Sequence, residues 1–224
     1  VTGMAVVKTC ETLRKKICER GAEYLGCSPD DVEFDGEKVV NLKTKEEITR
    51  KEIGNKVMCS SNAPLSATEA FSSPVSPPPF MVGIAEVEID KETGVVEPID
   101  YAAVVDCGTV VNPNLARVQT EGGIAQGIGM ALYEDIIYSE KGKNYSNSFM
   151  QYKIPSRLDV GEIRVEFESS YEPTGPFGAK SIGEIVINTP SPAISNAVQN
   201  AVGVIVRELP ITAEKVYKGM AEKE

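Results

Sequence analysis

The run from Leu115 to Tyr133 sets the tightest limit on what this chain can fold into. Leu115, Val118, Ile124, Ile128 and Leu132 recur at helical spacing, so the segment predicts a helix with an apolar face. Yet Gly122, Gly123, Gly127 and Gly129 lie inside it, and each interior glycine costs roughly 1 kcal/mol relative to alanine. Four such residues need a reason, and the usual one is close approach of another backbone or of a ligand. The fold must press something tightly against this helix.

The surrounding pattern mixes periods. Val6, Cys10, Leu13 and Ile17 line one face of a helix that fades at Gly21 and Gly26; its start almost at residue 1 is what a chain cut from a longer one would show. Val32–Phe34 and Lys38–Val40 flank Asp35-Gly36, a hairpin signal, and the charged stretch Thr44 to Lys56 reads as a short surface helix. Residues 60–79 turn to Ser, Ala and Pro, which reads as an interdomain linker, with an ordered loop wrapping a partner surface as the alternative. Ile84–Asp90 and Val95–Val105 alternate around the turn Lys91–Gly94, predicting a hairpin with one wet and one buried face. Ile163–Phe167 alternates again, and Tyr171–Gly183 is a loop rich in Gly and Pro. Ser191 then reads as the cap of a buried apolar helix with Pro192 at its first position, and Thr212 starts a last short helix. Hairpins and helices in non-alternating order predict an α+β fold with mixed sheets and helices packed on one face. The expected organisation is a helix-plus-hairpin lobe over 1–59, the linker over 60–79 and a second lobe over 80–224.

Composition removes whole classes of chemistry. The chain has no histidine, which excludes Ser-His-Asp and Cys-His catalysis and every His-based metal site. Its five cysteines are widely spaced with no Cys-x-x-Cys pair, so they read as reduced thiols of a cytoplasmic protein, Cys107 among them as a buried one. A net charge of −10 argues against nucleic acid as a partner, and no apolar run reaches the about 18 residues of a membrane span. Chemistry here must use carboxylates, lysines, tyrosines or a cofactor.

Gly175-Pro-Phe-Gly-Ala-Lys-Ser-Ile-Gly-Glu184 leaves backbone amides free to face a ligand and ends on one acid. Residue types alone favour a structural loop here, with a ligand loop as the alternative. Four ordered segments then carry a resemblance: Ala85–Asp90 with Thr93-Gly94; Asp106-Cys-Gly108 with Asn112-Pro113 and Gln119–Gly129; Tyr152-Lys-Ile-Pro155; and Gly178–Glu184 before the Pro192 helix. Together with Leu209–Thr212 and Glu214–Val216, they resemble the C-terminal part of the molybdopterin-binding large subunit of molybdenum hydroxylases, the xanthine dehydrogenase and aldehyde oxidase family.

That resemblance implies a fragment of an oxidoreductase. It would hydroxylate an electron-poor carbon, of a purine such as xanthine or hypoxanthine or of an aldehyde, with oxygen from water at molybdenum. Glu184 falls on the family's catalytic base, a role that suits a carboxylate whose pKa is raised by partial burial. Gln119 falls against the pterin, and Lys180, Ser181, Ile182 and Gly183 along it, through main chain more than side chain. Gln126 is a weaker candidate that reads equally well as a helix-surface glutamine. No protein side chain is implied as a metal ligand, because the pterin dithiolene and small ligands surround the metal. FAD and iron–sulfur clusters are implied on other domains or subunits, and the remainder of the large subunit, carrying the other glycine-rich loops and the substrate-choosing segments, as the main partner. The parent is expected to be homodimeric and the isolated fragment inert. The alternatives are a stand-alone interaction module and a cofactor-free assembly domain of the same fold.

Overall fold

In the computed structural model, which describes residues 1–60 and 64–222, the chain forms two units: Val1–Val75 with Thr174–Pro176, and Ser76–Pro173 with Phe177–Glu224. Each has its own sheet and core.

In the first unit, helix α1 (Thr2–Leu25) packs on an antiparallel sheet in the order β1 (Val32–Phe34), β2 (Lys38–Asn41), β3 (Glu47–Thr49). Ile17, Val39, Ile48, Ile53 and Val57 form its core. Gly21 lets α1 lie against β2, since a Cβ there would sit 2.7 Å from Val39 Cβ. The helix does not fade at Gly21; it stops at Gly26, whose left-handed φ of 65° lets its N–H reach back to Ala22 and Glu23. Of the expected apolar stripe, Ile17 is buried while Val6 and Cys10 are exposed.

The charged stretch 44–56 is more structured than a surface helix. It holds β3 and then α2 (Arg50–Met58), opened by a capping box between Thr49 and Glu52, with Ile53 and Val57 turned inward. Of the expected linker, residues 61–63 lie outside the described residues, and 64–79 carry no helix or strand. Lys16 Nζ donates to Ser66 O at 2.6 Å and Thr12 Oγ1 to Glu69 at 2.9 Å, so this segment is tied to α1.

The second unit is built on β4 (Phe80–Ile89), β5 (Val96–Asp106) and β6 (Glu162–Glu168), with β5 in the middle. β5 runs antiparallel to β4 and parallel to β6, so this sheet is mixed whereas the first is not. One face is covered by α3 (Pro113–Leu132), α5 (Pro190–Val202) and α6 (Ala213–Ala221), which bury Tyr101, Ala103, Ile124, Ile128, Ile194, Val198 and Val216. Tyr101 is 1% exposed and places its hydroxyl 2.8 Å from Thr189 Oγ1, which satisfies its one polar atom. The other face is not simply wet: Phe80, Val82, Ile84 and Val104 are exposed on it, beside Glu86, Glu88 and Glu166.

Two boundaries differ from the sequence reading. α5 begins at Pro190 rather than Pro192, with Thr189 at the cap position making no side-chain bond, so Ser191 lies inside the first turn. Only one face of α5 is buried, because Asn196, Gln199 and Asn200 turn outward and Ile205 lies beyond the helix. A four-residue helix, α4 (Ile185–Asn188), follows directly on the glycine-rich loop.

Candidate functional site

α3 starts where β5 has just ended. Asn112 caps it, accepting from the Leu115 amide at 3.0 Å, and Pro113 takes the first position, where no donor is needed. Its first turns expose Leu115, Val118 and Gln119, whereas Ile124, Ile128 and Leu132 of the same predicted stripe are buried. The glycines explain the switch. A Cβ at Gly123 would run into Val186 Cγ2 on α4, and one at Gly127 would sit 2.6 Å from Pro190 Cγ at the start of α5. At Gly129 the neighbours are Glu134 and Pro155. Close approach of neighbouring residues, mostly through their side chains rather than their backbone, therefore accounts for three of the four. Gly122 is different: nothing lies within 4 Å of the Cβ it lacks.

Gly122 faces a cleft of about 510 Å³ lined by Gln119, Gln126, Gly183, Glu184 and Asn188. A second cleft shares Gln119 and Gly183 and runs on past Ile182, Lys180, Cys107 and Leu115. The structure thus brings Gln119, Gly183 and Glu184 together from chain positions more than sixty residues apart. Gln119 Nε2 donates to the Gly183 carbonyl at 3.1 Å, while its Oε1 has no donor among the described residues. Gly183, like Gly122, has nothing within 4 Å of a built Cβ. Glu184 stands at the entry to α4 without making a cap bond, and it is exposed, so this chain does not itself supply the partial burial expected of a base. Ser181 is exposed and lines neither cleft.

Lys180 is placed otherwise than its neighbours. Its amide donates to Cys107 O at 2.7 Å, and its ammonium lies 2.6 Å from Asp106 Oδ2 with the side chain only 8% exposed. Ser170 Oγ and the Gly108 amide donate to the other Asp106 oxygen at 2.6 and 3.0 Å. The Lys180 ammonium above all, then these two donors, hold the Asp106 carboxyl down at about 2. Cys107 is buried beside them, and burial pushes its thiol up. Asp106 and Asn188 are the site residues that sequence reasoning passed over. Asp106 lies in the Asp106-Cys-Gly108 segment, which by itself implies no role for the carboxylate, and Asn188 gives no signal at all.

These residues can be tested against a pterin. A fused heterocycle edged with N–H donors and ring-nitrogen acceptors needs amides and flat, uncrowded walls. Gln119, Gln126 and Asn188 supply the amides, and the bare faces of Gly122 and Gly183 supply the room. The residues fit.

Residues 1–161 match the molybdopterin cofactor-binding domain. The chain is 34% identical to the "probable hypoxanthine oxidase" of Escherichia coli (strain K12), over 98% of this chain and 23% of that protein. It is 30% identical to the 6-hydroxypseudooxynicotine dehydrogenase complex subunit gamma of Paenarthrobacter nicotinovorans, over 97% of this chain and 28% of that one. The crystal structure of quinoline 2-oxidoreductase from Pseudomonas putida 86 superposes on 95% of this chain and 28% of its own, with a TM-score of 0.74 and 27% identity. The chain thus spans about a quarter of the length of the relatives it matches. The fold agrees with these matches, and the chain belongs to the molybdopterin cofactor-binding domain family, that of the molybdenum-binding subunits of xanthine dehydrogenase-like hydroxylases.

Proposed function

We propose that this chain forms one wall of the active site of a molybdenum hydroxylase acting on an electron-poor carbon of a nitrogen heteroaromatic ring, a purine such as hypoxanthine or xanthine first, with Glu184 as the base. The observation that carries the reading is the cleft itself, where Glu184 opens onto the same space as Gln119 and the bare backbones of Gly122 and Gly183. Two relatives support the substrate class, a probable hypoxanthine oxidase and a quinoline 2-oxidoreductase, both named for such rings.

The bound cofactor supplies a two-electron acceptor and a metal that makes water acidic. Within this chain, Gln119 keeps Oε1 free to accept an N–H from the pterin while Nε2 holds the loop at Gly183. Gly183 and Ile182 present main chain to the same ligand, Lys180 contributes through its place in the loop and not through its ammonium, and Ser181 completes the turn. A carboxylate oxygen of Glu184 takes the proton from the attacking water. In sum the ring carbon gains a hydroxyl from water and loses a hydride equivalent, releasing two protons and two electrons, and those electrons leave through iron–sulfur and FAD centres on other domains or subunits. The remainder of the large subunit closes the site and buries Glu184, so the isolated fragment is inert and the working enzyme is cytoplasmic and homodimeric. No helix among the described residues is long and apolar enough to cross a membrane.

Replacing Glu184 with Gln in the full-length, cofactor-loaded subunit tests the assignment. Turnover of hypoxanthine should fall by roughly 100-fold or more, the scale of a lost general base, with molybdenum and pterin content unchanged. Full activity per molybdenum in that variant would sink the role of Glu184.

A further inference from the structure

The loop that ends in Glu184 is strung between two anchors. At its far end Gln119 holds Gly183, and α4 seats Val186 over Gly123. At its near end everything converges on the last residues of β5. Gly108 and Ala179 form an isolated antiparallel bridge, Thr109 N donates to Gly178 O at 2.8 Å, and Lys180 N donates to Cys107 O at 2.7 Å. Gly108 has a left-handed φ of 70°, and a Cβ on it would run into the Gly178 carbonyl, so only glycine permits this approach.

Across the bridge lies the Asp106–Lys180 ion pair, between residues 74 apart in the chain. Its geometry is specific. Both oxygens of Asp106 are taken, one by Lys180 and one by Ser170 and Gly108, and the Lys180 stem lies with its ammonium 5.4 Å from the Phe80 ring centre. With the lysine side chain 8% exposed, losing the aspartate would strand a nearly buried cation. Only Ser181, Ile182 and Gly183 separate this pin from Glu184.

We infer that Asp106, acting through Lys180, is a positioning residue for Glu184: the ion pair fixes the near end of the loop, and so sets where the carboxylate stands relative to the bound ring. The inference rests on Glu184 being the base. It gives the Lys180 ammonium a task other than binding the cofactor.

Asp106→Asn, Lys180→Met, the double variant and Ser170→Ala, each in the full-length cofactor-loaded enzyme, test it, beside Glu184→Gln. Three quantities are read: kcat and KM per bound molybdenum, pterin content, and hydrogen exchange of the 177–184 amides by mass spectrometry. Asp106→Asn is expected to lower kcat by about 10- to 100-fold, the cost of displacing a catalytic group by about 1 Å, while KM and pterin content hold. Exchange at 177–184 should quicken, with α6 unaffected. The double variant should lose no more than the worse single one, because the two side chains act as a pair. Ser170→Ala, which leaves both charges, should reproduce the exchange change in milder form. A wild-type kcat per molybdenum in Asp106→Asn, alongside a dead Glu184→Gln, overturns the positioning role while leaving the base in place. Loss of pterin with unchanged kcat per remaining molybdenum also overturns it, by making the pair a stability element only. If Glu184→Gln stays active, the underlying reading of the base has failed, whatever Asp106 does.

Discussion

The two walls of the cleft are held by different forces. The α3 wall is fixed by shape, with Gly123 and Gly127 bringing the helix backbone down onto the side chains of Val186 and Pro190. The loop wall is fixed by polar ties: the Asp106–Lys180 pair, the bridge at Gly108 and Ala179, and the Gln119 amide on Gly183. A wall of the first kind should be sensitive to a single methyl group and indifferent to acid. A wall of the second kind should weaken in acid. The contrast also sorts the glycines of one helix, since Gly123 is needed by the protein's own packing while its neighbour Gly122 looks out on space.

The largest effect is expected on the packed wall. Gly123→Ala inserts a methyl group into Val186, a β-branched side chain with little freedom to move aside. Overpacking of this sort costs about 1–3 kcal/mol or somewhat more, and the gain in helix propensity returns up to about 1 kcal/mol, leaving a net loss of roughly 2 kcal/mol. Denaturant unfolding of the full-length protein measures it. A midpoint unchanged from the parent would mean that α4 slides freely on α3 and that shape does not hold this wall.

A smaller effect, present at neutral pH and lost in acid, should mark the loop wall. Lys180 first, then Ser170 and the Gly108 amide, keep Asp106 at about 2 against an ordinary 3.8. A carboxylate depressed in the folded state adds stability that is complete above its unfolded pKa and is lost as pH falls through the folded one. Asp106→Asn should therefore be less stable than the parent by a constant margin from pH 7 to about 5, with the margin shrinking between about pH 4 and about pH 2. Gly123→Ala should show a margin independent of pH over the same range. Unfolding curves of the two variants across that range compare the walls directly, and a flat margin for Asp106→Asn would remove charge from the account of the loop.

Much of this was legible in the chain, and the part that was not has a physical pattern. The long alternating strands, the Asn112-Pro113 entry to α3 and the Thr212 cap of α6 are local signals, and each lies where the residues point. β3 is hidden because Ile48 is its only apolar residue in a charged run, and α4 because Ile-Val-Ile is a β-branched string that tertiary packing, α3 above all, holds helical. Four glycines announced that α3 is closely approached, yet periodicity could not tell which of them meet protein. Glu184 and Gln119 are legible through the family motifs and not through spacing. Asp106 shows why: its partner lies 74 residues away, and no local pattern connects them.

The smallest effect belongs to Gly122, and its sign is what makes it informative. An alanine there meets nothing within 4 Å, so in the chain alone the change is a helix-propensity gain of about 0.5–1 kcal/mol and should raise the unfolding midpoint slightly. The same methyl group stands in the cleft beside Gln119 and Glu184, where on the proposed reading the flat face of a pterin needs the room. Gly122→Ala should therefore yield a protein that is a little more stable as apoprotein and carries less pterin and molybdenum per subunit. Neighbouring glycines would then respond to the same substitution in opposite ways, Gly123 losing stability and Gly122 losing cofactor. Full cofactor loading in Gly122→Ala would mean that the bare face of this helix is not the one the pterin lies against, and would move the proposed contact to the Ile182–Gly183 side of the cleft.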